Sequence, residues 1–371
     1  MQTRRFARAS HECSGFAGFQ SPGPVETPAP FILCLFMKKL LPGILFICVA
    51  VTGLFIVLVS SSDKPGITRT AVNRDYNRVT ASPADTLQMP GEIHLLAAYG
   101  SIVYALDRRA GILYQTSPHK TAPGIVARPG LYFTEMPASL QADSTGIYCF
   151  AANKKKIFRF PLNGGPPDSL SAAALPFSRC ARLPDGTVFT HLYDSAARKA
   201  RFVLADYRNG GNIISHLHDL PHTDDGGLAS DGIALPAMAG RQILYVQYHN
   251  SDVYRWQPPG LHTFQTIDRT PAENTIIKGD NTWSISSKTQ FINIDAATEG
   301  DYLYVLSLAV SHNLPTAAPE VDIYHLPGGE YTGSLRLPSF KKSGVRHIAV
   351  ANGILYAAHS QHIIAYQLSL P

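Results

Sequence analysis

Residues 352–368 read NGILYAAHSQHIIAYQL. An Asn-Gly turn introduces a short run carrying an apolar-aromatic pair, Leu355-Tyr356, and a run of alternating apolar residues follows from Ile363. Two such runs joined by a tight turn predict a β-hairpin, because side chains on a strand alternate between its faces. The same unit occurs six times. Its first runs are GSIVYAL around Val103-Tyr104, TGIYCFA around Ile147-Tyr148, DGTVFTH around Val188-Phe189, RQILYVQ around Leu244-Tyr245, GDYLYVL around Leu303-Tyr304 and NGILYAA around Leu355-Tyr356. The second runs begin at Ile112, Ile157, Ala200, Val253, Val321 and Ile363.

Six hairpins repeating at about 40–60 residues predict the blades of a propeller, each presenting apolar rows to its two neighbours. Alternation by itself also fits a β-sandwich; one motif recurring at one place in every unit selects the ring. Third strands follow Gly or Pro turns, as in LHTFQTID from Leu261 and GSLRLP from Gly333. The last unit ends at Pro371 without a third strand, whereas DTLQMP at Asp85–Pro90 resembles GSLRLP and precedes the first unit. The expected fold is therefore all-β, a six-bladed β-propeller over 85–371 in which an N-terminal strand completes the last blade and covers its open edge.

The composition agrees. Charged residues make up 16% of the chain, and 29 Gly with 27 Pro suit many short strands and turns. A net charge of +5 is dispersed, and its densest run, Lys154-Lys155-Lys156, falls between two strand-like stretches. That run reads as a solvated hairpin tip, so no nucleic-acid partner is expected. Of five cysteines only Cys149 and Cys180 belong to the propeller, where they are expected as buried small hydrophobes rather than a disulfide.

Leu40–Val59 carries no charge and as a helix would be about 30 Å long, the thickness of a bilayer core. Lys38 and Lys39 precede it, and MKKLLPGILF from Met37 has the form of a signal start. The segment lacks an A-x-A cleavage site and exceeds a signal core in length, which predicts a retained signal anchor or transmembrane helix over 37–62. Residues 1–36 are then an upstream extension and 63–84 a polar stalk. The propeller is expected outside the cytoplasm, periplasmic or at the cell surface.

The runs DDGGLASDGIALP from Asp224, ILYVQYHNSDVYRW from Ile243 and FQTIDRTP from Phe264 resemble the membrane-anchored, TolB-like six-bladed propeller proteins of Bacteroidetes-type bacteria. The resemblance implies a fold and an exported location. It brings no catalytic motif.

Chemistry-bearing residues gather in SHLHDLPHTDDGG, where His216, His218, His222, Asp224 and Asp225 fall within ten residues. Imidazole and carboxylate suit a divalent metal ion, and alternation would point His216 and His218 to one face. Turn chemistry explains the Asp-Gly pairs equally well. Asp231, Tyr245, Tyr248 and Trp256 are candidates for binding a ligand, the aromatics by stacking on a sugar or peptide. There is no G-x-S-x-G elbow, phosphate loop or dinucleotide fingerprint.

Two functional classes follow. The first is a cofactor-free binding or scaffold module for a protein, peptide or glycan near the membrane. The second is a metal-dependent, lactonase-like propeller hydrolase or lyase. The second requires acids and imidazoles from several blades to meet at the axis, and Asp143, Asp185, Asp231, His94 and His347 stand at comparable positions before the repeat strands.

Overall fold

The computed structural model describes residues 30–61, 72–120, 122–128, 137–223, 225–270, 276–278, 283–285, 289, 291–310 and 320–371. Two compact units meet in sequence at Lys64 and Pro65.

In the first unit a helix runs from Pro30 to Ser61, 32 residues, and contains the whole apolar segment Leu40–Val59. Its described side chains are those of residues 42–57, and the large apolar ones, from Ile44 to Val57, are all more than half exposed. Within that described portion no stretch is long and apolar enough to cross a membrane.

The second unit contains six four-stranded antiparallel sheets among the described residues. Their innermost strands are Ile93–Tyr99, Ser139–Asp143, Arg179–Arg182, Gly232–Ala237, Phe291–Glu299 and His347–Ala351, which define blades one to six. Each innermost strand neighbours the next, and the sixth neighbours the first, so the ring is closed. A further small hairpin, Ile276–Lys278 with Trp283–Ile285, lies between blades four and five in sequence.

Every repeated apolar-aromatic pair lies on the second strand of its blade, and period-two alternation sends its members to opposite interfaces. Tyr104 joins Ile147 and Cys149 between blades one and two, while Val103 joins Tyr356 between blades six and one. Six apolar clusters result, one per blade interface. All six motif aromatics are at most 3% exposed, and burying a side chain of this size contributes roughly 1.5–3 kcal/mol. Blade four is out of phase with the rest: Tyr245 faces blade three and Leu244 faces blade five. Cys149 and Cys180 are free and buried in consecutive clusters, as small hydrophobes.

Ring closure takes the expected form but begins earlier. The closing strand is Thr80–Gln88, not Asp85–Pro90, and pairs antiparallel with His362–Ser369, with Leu87 opposite Ile363. The stalk expected over 63–84 is shortened accordingly, because residues from Arg74 onward are built into the ring. Val79 is buried in the cluster between blades five and six, and the Asp75 carbonyl accepts the Ser334 N–H at 2.8 Å, on blade five's outer strand. Polar composition suggested a spacer; Arg74 is instead a buried cation among acids of the fold.

Candidate functional site: the two mouths of the central channel

The four described members of the proposed metal set, His216, His218, His222 and Asp225, are not gathered into one site. A β-bulge opposite Phe202 and Val203 pairs His218 with the former and His216 with the latter, which reverses the alternation and turns the two imidazoles to opposite faces. His216 Nε2 meets Asp219 at 2.7 Å. Asp219 also accepts from Lys199, and the two contacts, Lys199 first and then His216, hold its pKa down at about 2. His218 stacks beside Phe202 and Tyr254 with ring centroids 6.4 and 5.8 Å away. His222 ends the same outer strand. Asp224 lies outside the described residues. Asp225 is buried, and its two oxygens accept the N–H groups of Gly227 and Ala229, each at 2.8 Å. This is turn chemistry. Among the described residues no group of three or more His, Cys, Asp or Glu side chains is arranged to hold a metal ion.

Two of the stacking candidates are core residues. Tyr245 and Trp256 are packed between blades three and four, and the Tyr245 hydroxyl donates to the Ser230 carbonyl at 2.8 Å. Their motif position, inside a repeat strand, carries the reason.

Asp231 and Tyr248 do reach the channel, at the mouth where the innermost strands begin. Arg179 donates through Nε and Nη2 to the two oxygens of Asp231 at 2.8 and 2.7 Å, and its guanidinium stands 5.6 Å from the Tyr248 ring centroid. Burial works against the charge on Arg179, but Tyr248 and Asp231 outweigh it and hold the group protonated. Burial pushes Tyr248 up to about 12. A cavity of about 360 Å³ opens here between Ala138, Asn153, Phe177, Ser178, Arg179 and Asp231. Further round the same mouth His347 Nδ1 lies 3.3 Å from Asp295, and His94 is lowered in pKa by burial and by His347. Of the residues foreseen as converging, His94, Asp231 and His347 thus stand at the strand starts.

Ser178 Oγ lies 2.5 Å from His191 Nδ1, a pairing that resembles a nucleophile and its base. The imidazole is fully buried, its second nitrogen faces Ser230 Oγ at 3.2 Å, and burial lowers its pKa to about 4. The ring is thus held inside the fold between two serine hydroxyls. The pair fastens the first two strands of blade three.

The larger space lies at the opposite mouth, where the innermost strands end. A cavity of about 540 Å³ is lined by residues of all six blades. Its lining is more apolar than polar, and small residues, among them Ala97, Ala142, Ala297 and Ala349, occupy strand ends there. Gln141, Ser144, Thr145 and Thr298 add neutral polar groups, and three charged side chains stand beside them. Arg182 Nη1 donates to Asp143 at 2.8 Å, and Glu299 accepts the Gly353 N–H at 3.0 Å. Asp143 had been foreseen near the axis; Arg182 and Glu299 had not. A volume of this size, apolar with a few converging polar groups, has the properties of a small-molecule site.

No protein-family model matches the chain, and no curated protein matches it. Similar solved structures include a protein of unknown function from Bacteroides thetaiotaomicron, 11% identical over 80% of this chain and 73% of that one, with a TM-score of 0.49. A member of the duf4221 family from Bacteroides vulgatus is 9% identical over 82% of this chain and all of its own, at 0.49. A Bacteroides fragilis protein provisionally named as exported is 11% identical over 82% and 98%, at 0.46.

Proposed function

We propose that this chain is a membrane-tethered, extracytoplasmic binding module of the TolB-like kind, and that it takes its ligand in the cavity at the strand-end mouth of the channel. The observation that carries the binding role is the cavity itself: six blades contribute to one apolar space of about 540 Å³. Apolar wall left facing so large a space gains by contact with apolar ligand surface. The residues around both mouths favour binding over catalysis, since Arg179 and Arg182 are each tied to a carboxylate and His191 is buried between two serine hydroxyls.

Tethering is supported by the 32-residue helix and by its large apolar side chains, exposed without a polar face. Lys38 and Lys39, directly before the uncharged stretch Leu40–Val59, favour an N-terminus that stays in the cytoplasm.

Titrating octanol into the full chain held in lipid nanodiscs, with protein-free nanodiscs as the blank, tests the binding role. A saturable heat is expected that disappears in Ala98→Phe, whose ring would fill the cavity that Ala98 lines. Equal heats for native chain and blank would overturn the reading.

A further inference from the structure

Resting on the cavity as the binding site, the geometry around Arg182 assigns the ligand class: we infer that the cavity takes an apolar monocarboxylate, with its tail among the strand ends and its carboxylate on Arg182.

Arg182 ends the innermost strand of blade three. Its backbone is clamped by Gln141 of blade two, which accepts the Arg182 N–H at 2.9 Å and donates to its carbonyl at 2.9 Å. Its guanidinium lies 4.6 Å over the Tyr148 ring, so the planar group is held at both stem and face. Only Nη1 is engaged by Asp143. Asp143 in turn uses its other oxygen for the Thr145 N–H and hydroxyl, at 2.7 and 2.5 Å. The carboxylate that positions Arg182 is therefore occupied on both oxygens, while the Nε and Nη2 edge of the guanidinium keeps its donors. The side chain is 15% exposed and borders the cavity. A guanidinium edge with two parallel N–H donors matches the two oxygens of a carboxylate, and the contact is strongest beside apolar walls.

The rest of the lining selects among carboxylates. Leu96, Leu140, Leu235, Met238, Ile348 and Val350 supply apolar wall for the body of the ligand, while the hydroxyls of Ser144, Thr145 and Thr298 bring no second cation to pair with another carboxylate. The remaining acid, Glu299 of blade five, has one backbone N–H as its partner and would repel a carboxylate at the far end of the ligand. One acid with an apolar body satisfies both ends. Either a lipid-derived acid or the C-terminus of an apolar peptide carries this chemistry.

The test is calorimetric titration of the nanodisc-held full chain with octanoate, octanol and octylamine against protein-free nanodiscs. N-acetyl-leucyl-leucine and its C-terminal amide separate the two sources. Octanoate is expected to bind about 10-fold or more tighter than octanol, as a charge-assisted pair contributes, and octylamine weakest of the three. Arg182→Met is expected to bring octanoate down to the level of octanol while leaving octanol within about twofold, which also certifies that the variant is folded. Octylamine binding as tightly as octanoate, or octanoate indifferent to Arg182→Met, would overturn the inference. If octanol binds and is lost in Ala98→Phe while octanoate gains nothing, the cavity stands and the carboxylate assignment falls; if none of the probes binds, both fall. Binding of the free dipeptide but not its amide upholds the assignment and identifies the peptide source.

Discussion

Arg74 and Asp322 are 248 positions apart and form a two-point ion pair, Nε to Oδ1 at 2.8 Å and Nη2 to Oδ2 at 2.9 Å, with side chains 4% and 1% exposed. Glu320 at 2.9 Å and Asp268 at 3.5 Å complete the surroundings of the guanidinium. A segment that precedes the first blade is thereby fastened to blade five. Removing the cation leaves three carboxylates without it inside the fold, a change that costs about 3–5 kcal/mol when a buried pair is broken. Arg74→Ala is expected to lower the unfolding free energy by that order, read from the shift of the denaturation midpoint. An unchanged midpoint would mean that the segment adds nothing to the ring.

Leu87 in the closing strand is 4% exposed and packs between blades six and one, whereas its neighbour Gln88 is exposed. Leu87→Ala should destabilise by about 2–4 kcal/mol. Gln88→Ala should change stability by less than about 0.5 kcal/mol. Chemical denaturation of the two variants side by side checks the claim that closure rests on one face of this strand.

His191 gives the fold a stability that depends on acidity. Burial lowers its pKa to about 4 in the folded chain, against about 6.5 when unfolded. The unfolded state therefore binds the proton first, so stability is full above about pH 6.5 and declines as pH falls toward about 4. The contribution at stake is on the order of 3 kcal/mol. His94 and His359, lowered chiefly by burial, act in the same direction. Denaturation midpoints measured from pH 7 to pH 4 should fall less steeply in His191→Gln than in the native chain.

Cys149 and Cys180 are 0% and 1% exposed, and burial raises both thiol pKa values. Thiolate is the reactive form, so neither should be alkylated by iodoacetamide in the folded chain at pH 8. Mass-spectrometric mapping before and after denaturation reads this directly. Rapid labelling of Cys149 in the native chain would contradict the packing between blades one and two.

The blade count was legible because each unit repeats one local physical problem: a strand covered on both faces puts apolar residues at successive positions and one large ring beside a turn. Tyr104, Tyr148, Phe189, Tyr304 and Tyr356 mark the ring order, and each packs toward the next blade. Tyr245 carries the same motif but faces backward, since alternation specifies opposite faces without saying which neighbour each face meets. His216 and His218 were misread for a related reason. A bulge between them reverses the alternation, and no residue type in SHLHDLPH signals it.

Of the site, only its scattered members were visible. Asp143, Asp231, His94 and His347 were singled out by position, whereas no local pattern marks Arg182, Arg179 or Glu299. The sequence by itself determined an apolar N-terminal segment, six repeating hairpins and a strand left over to close the ring, because hydrophobic periodicity and turn residues act over a few positions. Tertiary structure alone decided that Arg74 reaches Asp322, that His216 and His218 face apart, and that residues from six blades leave a cavity beside Arg182. Each of these depends on distances between residues tens to hundreds of positions apart, which the closed ring fixes and local pattern does not encode.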